Sequence, residues 1–158
     1  MKTDEVDILL ADDSQDDIDL TLHTLRAENL ANHVVVARDG EEALDFLFCT
    51  GPHAGRSIDH PPKLVLLDLK MPKVDGLQVL KRIKEDPRTK TIPVVLMTSS
   101  REERDLVKGY ELGVNSYIQK PVDFNEFRNA VKLLGLYWLV TNRPPVNYGK
   151  QQAAGQAN

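Results

Sequence analysis

The sequence predicts an α/β domain, a doubly wound parallel sheet of five strands alternating with five helices. Three observations predict it. Apolar runs at residues 8–11, 64–67 and 92–97 are too brief for typical helices, and buried parallel strands read as continuous apolar runs of this length. Each run stops abruptly at polar residues: Asp12-Asp13, Asp68 and Thr98. Between the runs, apolar residues recur at helical spacing, so each crossover brings a helix to one face of the sheet. A length of 158 residues suits one domain with a core that needs no covalent staples.

The first strand, within residues 6–11, runs into Asp12-Asp13. Ser14 or Asp16 caps the following helix, whose Ile18, Leu22 and Leu25 share a face through about Ala27. Residues 33–37 form a β-branched second strand, and Asp39-Gly40 turns the chain into a helix with Ala43, Leu44, Leu47 and Phe48 inward. Residues 50–62, rich in Gly, Pro and His, read as an extended surface connection. Its GPHAGRS segment is not a phosphate-binding loop, because the glycine spacing is one short and arginine stands for lysine. His53 and His60 lack cysteine or acidic partners at ligand spacing and read as solvated loop histidines.

The third strand ends on Asp68, and Asp75 caps a helix carrying Leu77, Val79, Leu80 and Ile83, closed by Asp86-Pro87. The fourth strand ends in Thr98, Ser99 and Ser100; a helix over 102–112 follows, terminated by Gly113 as a left-handed cap. Residues 116–119 are a last short strand leading to Lys120-Pro121. Asp123 and Glu126 form a capping box for a closing helix that runs to about Val140. Residues 1–142 therefore form the domain, and residues 143–158, rich in Pro, Gly, Gln and Ala, a disordered tail.

A formal net charge of -4 argues against a phosphate-backbone binder, so nucleic acid is not an expected partner. Cys49 is the single cysteine, so no intrachain disulfide forms. Neither a signal-type apolar segment nor a run of membrane-spanning length is present, and a cytoplasmic location is expected.

The polar residues at the strand ends carry the chemistry. Carboxylates at Asp12, Asp13 and Asp68, a hydroxyl at Thr98 and an amine at Lys120 gather at one edge of a parallel sheet, where open α/β sheets place their ligand crevice. Clustered carboxylates repel unless a cation neutralises them, and an all-oxygen set suits Mg²⁺. With the cation bound, Asp68 is competent as a nucleophile toward phosphorus, giving an aspartyl-phosphate. Lys120 then neutralises charge, and Thr98 hydrogen-bonds a phosphoryl oxygen. Taken singly, each residue has a plainer reading: a helix-start acidic cluster, a strand-end hydroxyl, a solvated lysine. A calcium loop beginning at Asp12 is excluded, since its glycine and closing glutamate are missing.

Asp12-Asp13 after the first strand, Asp68 followed by MPxxDG, Thr98, Tyr117 and Lys120-Pro121 together resemble the receiver domain of bacterial two-component response regulators, over about residues 6–140. The long 50–62 insertion and the Tyr137-Trp138-Leu139 helix end resemble the single-domain regulators paired with bacterial phytochrome histidine kinases. The resemblance implies a flavodoxin-like fold of strand order 2-1-3-4-5, with Asp68 as phosphoacceptor. It also implies Asp13 as direct metal ligand, Asp12 acting through water, and the Lys70 carbonyl completing the set. Lys120 would pair with the phosphoryl group, Thr98 would swing toward it, Tyr117 would change rotamer, and the Lys120–Pro121 peptide would be cis. Lys70 and Ser100 occupy positions at which such domains vary, and at which variation tunes phosphate lifetime.

Too few residues follow the closing helix for a DNA-binding module, so output is expected as an altered surface. Phe124, Phe127, Val131 and Leu134 make a core stripe, while Leu133, Leu136, Tyr137, Trp138 and Val140 widen it beyond what one sheet covers. That excess either packs the domain or, with the 102–112 helix and the fifth strand, forms a homodimer face as in the phytochrome-associated regulators. Three functions compete: a phosphorylation-dependent switch fed by a histidine kinase, an aspartyl-phosphate phosphatase, and a phosphate-independent interaction module. The phosphatase lacks its DxD motif, since Lys70 stands at the second aspartate position, and a module of the last kind would be expected to have lost acidic residues.

Overall fold

A computed structural model describes residues 6–27, 33–98, 111–114 and 116–135. In order these form β1 (Ile8–Ala11), α1 (Gln15–Ala27), β2 (Val34–Ala37), α2 (Gly40–Phe48), β3 (Leu64–Asp68), α3 (Gly76–Glu85), β4 (Val94–Thr98), β5 (Ser116–Gln119) and the closing helix α4 (Phe124–Leu133). All strand pairs are parallel and the order is 2-1-3-4-5. Of the helix expected over 102–112, only Glu111 and Leu112 are among the described residues; Gly113 after it has φ +90°, the left-handed cap that the sequence predicts.

Strand alternation divides the core in two. Leu9, Ala11, Val65, Leu67, Val94 and Leu96 face one way, onto α2 and α3. Ile8, Leu10, Leu64, Leu66, Val95 and Met97 face the other, onto α1 and the closing helix. Both faces are apolar because both are covered, which is why the strands read as unbroken hydrophobic runs. Phe127 and Val131 are fully buried under the sheet, with Phe124 and Leu134 packed at the margin.

Caps set where the helices begin. Ser14 rather than Asp16 caps α1: its Oγ accepts from the Asp17 N–H at 3.3 Å. Asp39 accepts from Glu42 N at 2.7 Å. Asp75 and Gln78 exchange both bonds of a capping box, at 2.9 and 3.0 Å. At the closing helix, Asp123 accepts from Glu126 N at 2.9 Å.

The structure departs from three expectations. The closing helix ends at Leu133 rather than continuing unbroken to Val140, because Gly135 takes φ +79° and its N–H returns to the Lys132 carbonyl at 3.0 Å. The 50–62 connection is not simply extended: it contains a 3₁₀ turn at Gly51–His53 and is pinned by Arg56. The Arg56 guanidinium lies 3.7 Å over the Phe46 ring, bonds the Phe46 carbonyl, and reaches the His60 carbonyl at 2.9 Å. His53 is half-buried and packs edge-on against Phe46 at 5.1 Å, so it is a packed residue rather than a solvated one.

Candidate functional site: an acidic cluster and its lysine

Parallel register brings the strand ends together. Ala11 is opposite Leu67, so Asp12 and Asp68 leave adjacent strands at the same edge; Asp68 is opposite Met97, which places Thr98 next along. Lys120 arrives from β5, its N–H bonded to the Thr98 carbonyl at 2.8 Å. The Lys120–Pro121 peptide is cis, as the resemblance implies.

One ligand oxygen from each of Asp12, Asp13 and Asp68 lies within 4.8 Å of the others. Asp12 is fully buried, Asp68 is 6% exposed, and Asp13 stands at the exposed mouth. Lys120 Nζ reaches into this group, 3.0 Å from Asp12 Oδ2 and 3.4 Å from Asp68 Oδ2. Asp12 Oδ1 accepts from Ser14 N at 3.0 Å, whereas its buried Oδ2 has no partner with hydrogen-bond geometry, despite the nearby ammonium.

Burial pushes the Asp68 carboxyl up to about 6; Lys120 opposes this, and the charges of Asp12 and Asp13 add to it. Burial alone would lower the Lys120 amine, but its contacts with Asp17 and Asp12 and the charge of Asp68 outweigh that and hold it well above the usual lysine range. Lys120 is therefore cationic at any physiological pH. The cluster retains excess negative charge and an all-oxygen donor set, both of which fit a hard divalent cation.

Two close backbone approaches shape the loop after Asp68. A Cβ on Gly76 would meet the Asp68 carbonyl oxygen at 2.1 Å, and one on Gly40 would meet the Val74 carbonyl oxygen at 1.7 Å. Both glycines follow capping aspartates, and both are required by proximity rather than by backbone angle. Lys73, at φ +68°, adds ion pairs to Asp39 and Glu41 at 3.5 and 3.6 Å.

Among the remaining candidates, Thr98 is 6% exposed at the end of β4, Lys70 is exposed, and Tyr117 is 43% exposed on β5. Of the surface set, Leu133 is 79% exposed; Leu136, Tyr137, Trp138 and Val140 lie outside the described residues, as does Ser100. Sequence reasoning missed Asp17. From the first turn of α1, its Oδ2 sits 2.8 Å from Lys120 Nζ, nearer than either Asp12 or Asp68. The available signal was its place one turn past the Asp12-Asp13 pair, on the sheet edge where Lys120 arrives.

A doubly wound 2-1-3-4-5 sheet with acids and a lysine at its carboxyl edge defines a receiver-type domain. The chain belongs to the response regulator receiver family, whose model matches residues 8–132 and whose members work in two-component signalling. Among solved structures, it is 54% identical to the bacteriophytochrome response regulator AtBRR, with TM-score 0.78, covering 85% of this chain and 95% of that one. Response regulator Rcp1 of Synechocystis is 37% identical over 85% of this chain and 89% of its own length, and its Mn²⁺-bound form superposes with TM-score 0.68. The phosphorylated cyanobacterial phytochrome response regulator RcpA is 39% identical, with TM-score 0.71, covering 87% and 96% of the two chains.

Proposed function

We propose that this protein is a phosphoacceptor switch: Asp68 takes a phosphoryl group from a sensor histidine kinase, and the signal leaves as an altered surface. The observation that carries the reading is the gathering of Asp12, Asp13 and Asp68 within 4.8 Å around a lysine that stands 3.4 Å from the Asp68 carboxylate. Phosphoryl transfer asks mainly for in-line positioning and neutralised charge. A bound Mg²⁺, held by Asp12, Asp13, Asp68 and the Lys70 carbonyl, would neutralise the incoming phosphoryl oxygens.

The chain's own residues do the rest. An Asp68 carboxylate oxygen attacks phosphorus; the new O–P bond forms as the N–P bond of the kinase phosphohistidine breaks, and the departing imidazole nitrogen keeps the electron pair and takes up a proton. Lys120 pairs with the transferred group, Thr98 donates its hydroxyl to a phosphoryl oxygen, and Tyr117 reorients on β5. The protein's only catalysis is of its own phosphorylation and dephosphorylation. Incubation with acetyl phosphate and Mg²⁺ should add the mass of one phosphoryl group to the wild type and none to Asp68→Asn. An unmodified wild type would instead favour a phosphate-independent interaction module.

The likeness to AtBRR and RcpA supports a phytochrome-type kinase as donor, testable by comparing transfer from such a kinase with transfer from an unrelated one. The receiver occupies residues 1–142 with a tail at 143–158, and works in the cytoplasm; no described helix is long and apolar enough to cross a membrane. Exposed Leu133, beside Tyr117 on edge strand β5, supports a homodimer face shared with the 102–112 helix and with Leu136, Tyr137, Trp138 and Val140. Light scattering at tens of micromolar decides it: a wild-type dimer that Tyr137→Ala/Trp138→Ala dissociates supports the face, and a wild-type monomer rejects it.

A further inference from the structure

Lys120 carries one ammonium and faces three carboxylates. Asp12 and Asp68 belong to the cluster that fits a cation, and Asp17 does not. Asp17 nevertheless makes the shortest of the three contacts, 2.8 Å against 3.0 and 3.4 Å. It is held on a regular element, since α1 starts at Gln15 and the Asp17 N–H is tied to the Ser14 cap. Its side chain is 31% exposed, whereas that of Lys120 is 7% exposed. Asp17 can therefore turn to water when its partner leaves, and Lys120 cannot find water in exchange for a lost partner.

These positions make the carboxylate of Asp17 a competitor for the ammonium. An acyl-phosphate at Asp68 draws Lys120 toward β3, and Asp17 draws it toward α1. We propose that Asp17 is a positioning residue that holds Lys120 in reserve on the α1 side, so that every anion bound at Asp68 must win the lysine from it. Asp17 thereby lowers the affinity of the site for a phosphoryl group and shortens the phosphorylated state. This inference rests on the reading of Asp68 as phosphoacceptor.

The probe is fluoroberyllate, a tetrahedral acyl-phosphate mimic, titrated calorimetrically into the full-length protein in saturating Mg²⁺. A partly exposed ion pair contributes about 0.2–1 kcal/mol, so Asp17→Asn should bind the probe about 1.5- to 5-fold tighter than the wild type. Asp17→Glu, which keeps the carboxylate, should return toward wild-type affinity. Asp16→Asn removes the same charge from the neighbouring exposed position, which has no contact with Lys120 among the described interactions, and should leave affinity close to wild type. A longer-lived phosphorylated Asp17→Asn, followed by mass after acetyl phosphate is removed, is the matching kinetic result. Unchanged or weaker binding by Asp17→Asn would overturn the proposal, as would equal tightening by Asp16→Asn, since the effect would then be general charge. Wild type that fails to bind fluoroberyllate would overturn the phosphoacceptor reading itself.

Discussion

Replacing Asp68 by asparagine should stabilise the metal-free protein while destroying its function. The folded carboxyl sits at about 6 against 3.8 in an unfolded chain, chiefly because burial penalises its charge. Since the folded value is the higher one, the native state binds more protons than the unfolded state between about pH 4 and 6, and stability falls as pH rises through that window. Asparagine keeps the shape without the charge. At about 1.4 kcal/mol per unit, Asp68→Asn gains up to about 3 kcal/mol at pH 7. At pH 4.5, where the folded carboxyl is already neutral, the gain shrinks to about 1 kcal/mol. Urea unfolding in a chelating buffer measures this. With a slope of about 2 kcal/mol/M, the midpoint at pH 7 should rise by about 1.5 M. Adding Mg²⁺ should narrow the gap, because a cation that binds only the folded wild type stabilises it by mass action. An Asp68→Asn protein no more stable than wild type in chelator at pH 7, or a gap that ignores pH, would refute the claim that burial strains this carboxylate.

Two further substitutions probe the frame around the site. Gly76→Ala places a Cβ 2.1 Å from the Asp68 carbonyl oxygen, backbone against backbone, and should cost about 1–3 kcal/mol in urea while slowing acetyl phosphate labelling. Phe127→Ala empties the largest fully buried side chain of the closing helix and should cost about 3–5 kcal/mol by the same unfolding measurement.

Much of the fold was written in local pattern. Leu64 to Leu67 and Val94 to Met97 are apolar on consecutive residues because helices cover both faces of their strands, and the runs end at Asp68 and Thr98, side by side at the carboxyl edge of the sheet. Asp75 and Asp123 cap as their spacing predicts, since a cap needs only its own chain a few residues on, and the structure adds Asp39 as the cap of the helix that its turn opens. The apolar pattern of the closing helix continues past Gly135, but the positive φ at that glycine ends the helix at Leu133.

By itself, then, the sequence determined which segments are strands and helices and which polar residues stand at their ends, because periodicity and capping are short-range. It also named the acids and the lysine that the fold gathers at one sheet edge. Tertiary structure alone decided how these residues divide one another's charge. Asp17 reads as an ordinary first-turn acid until β5 delivers Lys120 within 2.8 Å of it. Gly40 and Gly76 read as turn residues until the loop after Asp68 is packed against them. Asp68 differs from any other strand-end aspartate only through the burial and the neighbours that the closed sheet edge imposes on it.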